Sequence, residues 1–103
     1  MQAPSGRTPE LETAAYLHRV PAGRRGINFG CGGMTYAGWL NIARGMPLHI
    51  DIDLDMTGGL PFLPEGQFDA AMSEAFLEHV ERPVAARILG NILRALRPGG
   101  TPV

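Results

Sequence analysis

The stretch Gly26-Ile27-Asn28-Phe29-Gly30-Cys31-Gly32-Gly33 is an apolar run that ends in three glycines within four positions. It reads as a strand stopping at a turn that side chains must leave open. Glycine there permits positive φ and close backbone approach, and successive N–H groups can converge on a bound polar group. A small cofactor is the first hypothesis, and a bare tight turn is the alternative. A dinucleotide fingerprint would place a further glycine at position 35, where Thr35 stands.

The surrounding composition narrows the field. A chain of 103 residues makes one small domain with one modest core. A net charge of −1 lacks the basic footprint of a protein that grips nucleic acid or an anionic membrane, so neither is an expected partner. All nine basic residues are arginines, and adjacent Arg24 and Arg25 ahead of the first strand read as a solvated pair. Cys31 is the single cysteine, which excludes an internal disulfide and fits a reducing compartment. It reads as a small filler of the turn rather than a nucleophile. No metal-ligand spacing is visible, no run approaches the ~20 apolar residues of a membrane span, and the N-terminus lacks a signal-peptide core. The cytoplasm is the expected location.

Elements follow from local signals. Residues 1–7 read as a flexible tail and 8–103 as one partial domain. Thr8-Pro9-Glu10 predicts a helix start, with Thr8 as N-cap and Pro9 at the first helical position, running to about Arg19. Strand one spans 25–29. The brief segment 34–38 leaves little room for a crossover helix before strand two at 39–43, Trp39-Leu40-Asn41-Ile42-Ala43. Alternation over 48–54 predicts strand three, with Asp55 at its carboxyl end. Phe68–Met72 is strand four, with Ser73 and Glu74 just beyond. Val84, Ile88, Leu89, Ile92, Leu93 and Leu96 share one face of a final helix that opens near Pro83 and that Pro98-Gly99-Gly100 terminates. Only Thr101-Pro102-Val103 then remains for a following strand.

Three features occur in one order: Ile27-Asn28-Phe29-Gly30-Cys31-Gly32; then Leu60-Pro61-Phe62 with Phe68-Asp69 and Leu77-Glu78-His79; then Leu96-Arg97-Pro98-Gly99-Gly100. Together they resemble class I S-adenosylmethionine-dependent methyltransferases of the type 11 branch, over about residues 25–100. The resemblance implies an α/β, Rossmann-like three-layer fold, here incomplete, with about four parallel strands plus helices. It also implies S-adenosyl-L-methionine as cofactor. By the same likeness, Gly30, Cys31 and Gly32 lie against the methionine part, Asn28, Phe29 and Gly33 join them as cofactor-binding residues, and Asn28 stands where many members carry an acid. Asp55 holds the adenine amino group, Met56 packs against the ring, and Ser73 lies close to the cofactor, with a helix N-cap as its alternative role. Glu74 faces the methyl-acceptor side. Glu78 reads as a helix-start acid and His79 as a structural histidine, so no catalytic residue is assigned.

Two departures qualify the likeness. The acid expected at the end of strand two, which would hold the ribose hydroxyls, is replaced by Ala43, leaving Asp51 or Asp53 as substitutes. The family's sheet has seven strands, whereas this chain stops near its fifth. Strand four then becomes an exposed edge, which predicts a fragment, a truncated product or a unit that self-associates through that edge. Two rivals follow: a non-catalytic remnant or binding module, and a nicotinamide-dependent oxidoreductase with Asp51 or Asp53 on the ribose. The methyl acceptor is not legible.

Overall fold

A computed structural model describes residues 8–30, 35–44, 50–73 and 80–102. Helix α1 spans Pro9–Arg19. Thr8 caps it as expected, its hydroxyl accepting the Leu11 N–H at 3.1 Å, and the chain leaves the helix in extended conformation at Val20. Four strands and a second helix follow: β1 (Gly26–Phe29), β2 (Trp39–Ala43), β3 (Ile52–Asp53), β4 (Phe68–Met72) and α2 (Arg82–Ala95). A fifth strand, β5 (Leu96–Pro102), leaves α2 with no intervening loop. A single 3₁₀ turn at Met56–Gly58 follows β3.

All strand pairs are parallel, in the order β3-β2-β1-β4-β5. The α/β fold class therefore stands, with five strands rather than about four. Strand four is not an edge: β1 lies on one side and β5 on the other. Pro98-Gly99-Gly100 is not the turn that precedes a strand but part of β5 itself. Leu96 pairs with Phe68 and Thr101 with Ala70, so five residues of β5 advance past two of β4 in a bulge. Gly99 has φ +84°, and a Cβ on Gly100 would press on the carbonyl oxygens of Arg97 and Asp69. Glycine is what lets the strand fold over itself there.

The core fills both flanks of the sheet with Ile27, Phe29, Leu40, Ile42, Leu60, Leu63, Phe68, Ile88 and Ile92, all buried. Tyr16 anchors α1 to it. The side chain is fully buried, its ring stacks on Phe68 at 5.9 Å, and its hydroxyl accepts the Gly26 N–H at 2.9 Å while donating to the Gly38 carbonyl at 2.6 Å. Burial pushes its pKa above the usual phenol value.

Three expectations change. Leu89 and Leu93 lie on the exposed side of α2, and the helix buries the narrower stripe of Ile88, Ile92 and Ala95. Arg25 is docked rather than solvated: its guanidinium donates to the Val20 and Leu17 carbonyls at 2.8 and 3.0 Å, closing the end of α1. Strand three is confined to Ile52–Asp53, although the first two positions of the expected run 48–54 lie outside the described residues. Of the crossover between β1 and β2, residues 31–34 lie outside the described residues.

Candidate functional site

From β1 the chain moves outward to β2 and β3, then returns to lay β4 on the opposite side of β1. Strand order reverses between β1 and β4. In an open parallel sheet the crevice at the carboxyl ends beside such a switch point is where ligands bind. Gly30 follows β1 and Ser73 follows β4 at that point, and Asn28 pairs with Met72 in register just before them.

Gly30 adopts φ +63°, a conformation glycine takes without strain, and its N–H donates to the Ile42 carbonyl at 2.8 Å. The turn is thereby tied to the end of β2. Cys31, Gly32 and Gly33 lie outside the described residues, as do Glu74, Glu78 and His79. Beside Gly30, the Ser73 hydroxyl oxygen is buried with no hydrogen-bond partner among the described residues. A buried hydroxyl left unpaired costs roughly 1–3 kcal/mol, so a site that keeps one invites a ligand atom to complete it.

Asp55 and Met56 occupy the same edge, after β3. Strands spaced about 4.8 Å apart put the end of β3 about 14 Å from that of β4, a span suited to a nucleoside carrying a short tail. Asp55 caps the 3₁₀ turn through Oδ1, which accepts the Thr57 N–H at 3.0 Å, and Oδ2 accepts from Arg44 at 3.2 Å. The Thr57 N–H first, then the Thr57 side chain and the nearby Arg44 charge, hold this carboxyl below its ordinary pKa, so it stays ionised. Met56 is 5% exposed and belongs to the core beneath the edge.

Asn28 and Phe29 are placed differently from the glycines they precede. The Phe29 side chain packs in the core, so only its backbone borders the crevice. Asn28 is buried, and its amide donates to Asn41 Oδ1 at 3.0 Å. Asn41, which sequence reasoning passed over, is the centre of a network. Its Oδ1 also accepts the Tyr36 N–H, and its Nδ2 donates to the Tyr36 and Trp39 carbonyls and to Asp51.

Asp51 is consequently spoken for. It precedes β3, accepts the Asn41 N–H at 2.8 Å and pairs with Arg19, so its carboxylate is already engaged beside the middle of β2. An open hollow of about 340 Å³ borders Asp51, Arg19, Tyr36, Trp39 and Asn41, and its walls include none of Gly30, Asp55 or Ser73. Asp53 lies opposite Ala43 in register, the position where the family likeness leads one to expect an acid. Among the described residues no cluster of His, Cys, Asp and Glu could hold a metal ion, and no helix is long and apolar enough to cross a membrane.

A family model described as a methyltransferase domain matches residues 51–103, just over half of the chain. The matched span includes Asp55, Met56 and Ser73, and begins after the glycine turn. No curated protein and no solved structure shows significant similarity to the chain. With a parallel sheet that reverses beside Gly30 and a family match over β3 to β5, the chain belongs to the methyltransferase-domain family of class I, S-adenosylmethionine-dependent enzymes.

Proposed function

We propose that this chain binds S-adenosyl-L-methionine along the carboxyl edge of its sheet and serves methyl transfer to an acceptor outside the cofactor motifs. The observation that carries the reading is the Ser73 hydroxyl, buried and without a partner among the described residues, at the point beside the positive-φ Gly30 where strand order reverses. The donor set fits the group. In this reading the Gly30 N–H, already given to the Ile42 carbonyl, is not a ligand donor. Gly30 contributes the positive φ of the turn, and the family likeness assigns the amino-acid end of the ligand to the stretch Gly30, Cys31, Gly32 and Gly33 that follows Asn28 and Phe29. Asp55, ionised, accepts from an exocyclic amine, with Met56 as the floor beneath it. Ser73 completes the middle with a hydroxyl that both donates and accepts.

The cofactor supplies an intrinsically electrophilic sulfonium methyl, so the protein's contribution is chiefly to hold the two reactants in line. That role needs no nucleophile or metal from the chain. A binding module without turnover is the second reading, favoured by Ala43 where an acid would hold the ribose.

Calorimetric titration with S-adenosylhomocysteine, S-adenosylmethionine and NAD tests these readings. Saturable heat with the first two supports the proposal, heat with NAD alone overturns it, and binding without transfer to any acceptor in an acceptor screen supports the module.

A further inference from the structure

The segment that carries the glycine turn is tied to β2 at both of its described ends. At the near end the sheet does this: β1 and β2 pair in register up to Phe29 and Ile42, and the Gly30 N–H donates to the Ile42 carbonyl at 2.8 Å. At the far end a side chain does it. Asn41 Oδ1 accepts the Tyr36 N–H at 3.0 Å and Nδ2 donates to the Tyr36 carbonyl at 3.1 Å, so one amide holds both backbone polar groups of one residue. The amide is itself locked in orientation, because Nδ2 also donates to the Trp39 carbonyl at 3.0 Å and Oδ1 also accepts the Asn28 amide at 3.0 Å. Asn41 is buried, so water weakens these bonds little.

Gly30 and Tyr36 are therefore fixed on consecutive residues of one strand, Ile42 and Asn41. A loop held at both ends has fewer conformations to lose when a ligand orders it, and the ligand keeps the difference as affinity. Without the Asn41 amide, the next bond from this segment to another element, among the described residues, is that of the Gly38 carbonyl with the Tyr16 hydroxyl at 2.6 Å. The effect falls on one part of the ligand. The family likeness gives the turn to the amino-acid end, whereas Asp55 and Met56, given to the adenine, are held by the Thr57 N–H and by the core.

We propose that Asn41 is a positioning residue for the cofactor turn, setting affinity for the amino-acid end of S-adenosylmethionine and not for its nucleoside. The inference rests on the proposed function, since it takes the turn as the seat of that end.

The test is calorimetry on the full chain with S-adenosylhomocysteine and with 5′-methylthioadenosine, which keeps the nucleoside and its sulfur and lacks the amino-acid end. In Asn41→Ala the first affinity should fall about tenfold and the second less than about twofold. Tyr16→Phe is the control for lost stability: its hydroxyl holds Gly38 and Gly26 rather than Tyr36, and both affinities should stay as in wild type. A second measurement needs no variant to fold. A ligand that gains from a docked Tyr36 must in turn favour the docking. At concentrations that raise the urea midpoint equally, S-adenosylhomocysteine should slow hydrogen exchange of the Tyr36 amide about tenfold more than methylthioadenosine does. Equal losses for the two ligands in Asn41→Ala, a matching loss in Tyr16→Phe, or Tyr36 exchange that the two ligands slow alike overturns the inference and leaves the methyltransferase reading intact. A wild-type chain that takes no S-adenosylhomocysteine overturns both.

Discussion

The Asn28 side-chain amide donates to Asn41 Oδ1 at 3.0 Å across β1 and β2, and both residues are buried. The Asn41 side chain ties β1, the loop before β2 and Asp51, which precedes β3, together. Replacing it with Ala removes the acceptor that the Tyr36 N–H and the Asn28 amide share. Asn41→Ala is expected to destabilise the chain by about 2–3 kcal/mol, read as a lower urea midpoint at unchanged slope. A loss under half a kcal/mol would show that water takes over these bonds.

Tyr16 offers a second measure of how polar links hold α1 on the sheet. Tyr16→Phe keeps the ring stacked on Phe68 but removes the hydroxyl from the Gly26 N–H and the Gly38 carbonyl. The expected cost is about 1–3 kcal/mol, with the near-ultraviolet signal of Trp39 altered because Gly38 sets its approach. An unchanged midpoint would place the stabilisation in the stacking alone.

The start of β1 is crowded from its partner strand. A Cβ on Gly26 would run into the indole of Trp39, its register partner. Gly26→Ala should cost about 1–3 kcal/mol through overpacking, and Trp39→Leu should recover part of that loss in the double variant. Additive losses would show that the two residues do not meet.

Much of this architecture is legible locally. Thr8-Pro9 announces α1 and the Phe68–Met72 run announces β4, because caps and short apolar strands depend on near neighbours. The failures are tertiary. Pro98-Gly99-Gly100 carries the chemistry of a turn, and only its pairing with β4 makes it a bulge within β5. Leu89 and Leu93 fit the helical period, but α2 meets its neighbours along a stripe too narrow to include them. Adjacent Arg24 and Arg25 look alike in sequence, yet only the carbonyls ending α1 decide that Arg25 is docked. At the site, Gly30 announces itself through conformation. That Asp55 and Ser73 share its edge follows from strand order, which the residues reveal only through family likeness, and Asn41 gains meaning only beside Tyr36.

Acid should loosen the amino side of the sheet through Asp69. Its carboxylate accepts the Arg25 N–H and the Gly23 N–H, both at 2.8 Å, and pairs with Arg97. The Arg25 N–H foremost, then Arg97 and the Gly23 N–H, hold its pKa below the ordinary value. A group whose pKa is lower folded than unfolded contributes in full above the unfolded value, about 3.9, and loses that contribution as pH falls through the folded value. Stability should therefore decline below about pH 4, less steeply in Asp69→Asn, which should also be weaker at neutral pH. An acid limb identical in the two proteins would remove Asp69 from the account.

Ser73 separates binding from folding. Its hydroxyl is buried without a partner among the described residues, so Ser73→Ala removes an unsatisfied group and leaves only a small void. Stability should hold or rise by up to about 1 kcal/mol. The same variant removes a hydrogen bond that the ligand would complete, and S-adenosylhomocysteine affinity should fall about fivefold to tenfold. Paired urea and calorimetric titrations check both halves. A variant that loses stability and keeps its affinity would mean that the hydroxyl serves the fold, and the crevice between Gly30 and Ser73 would lose its claim to the ligand.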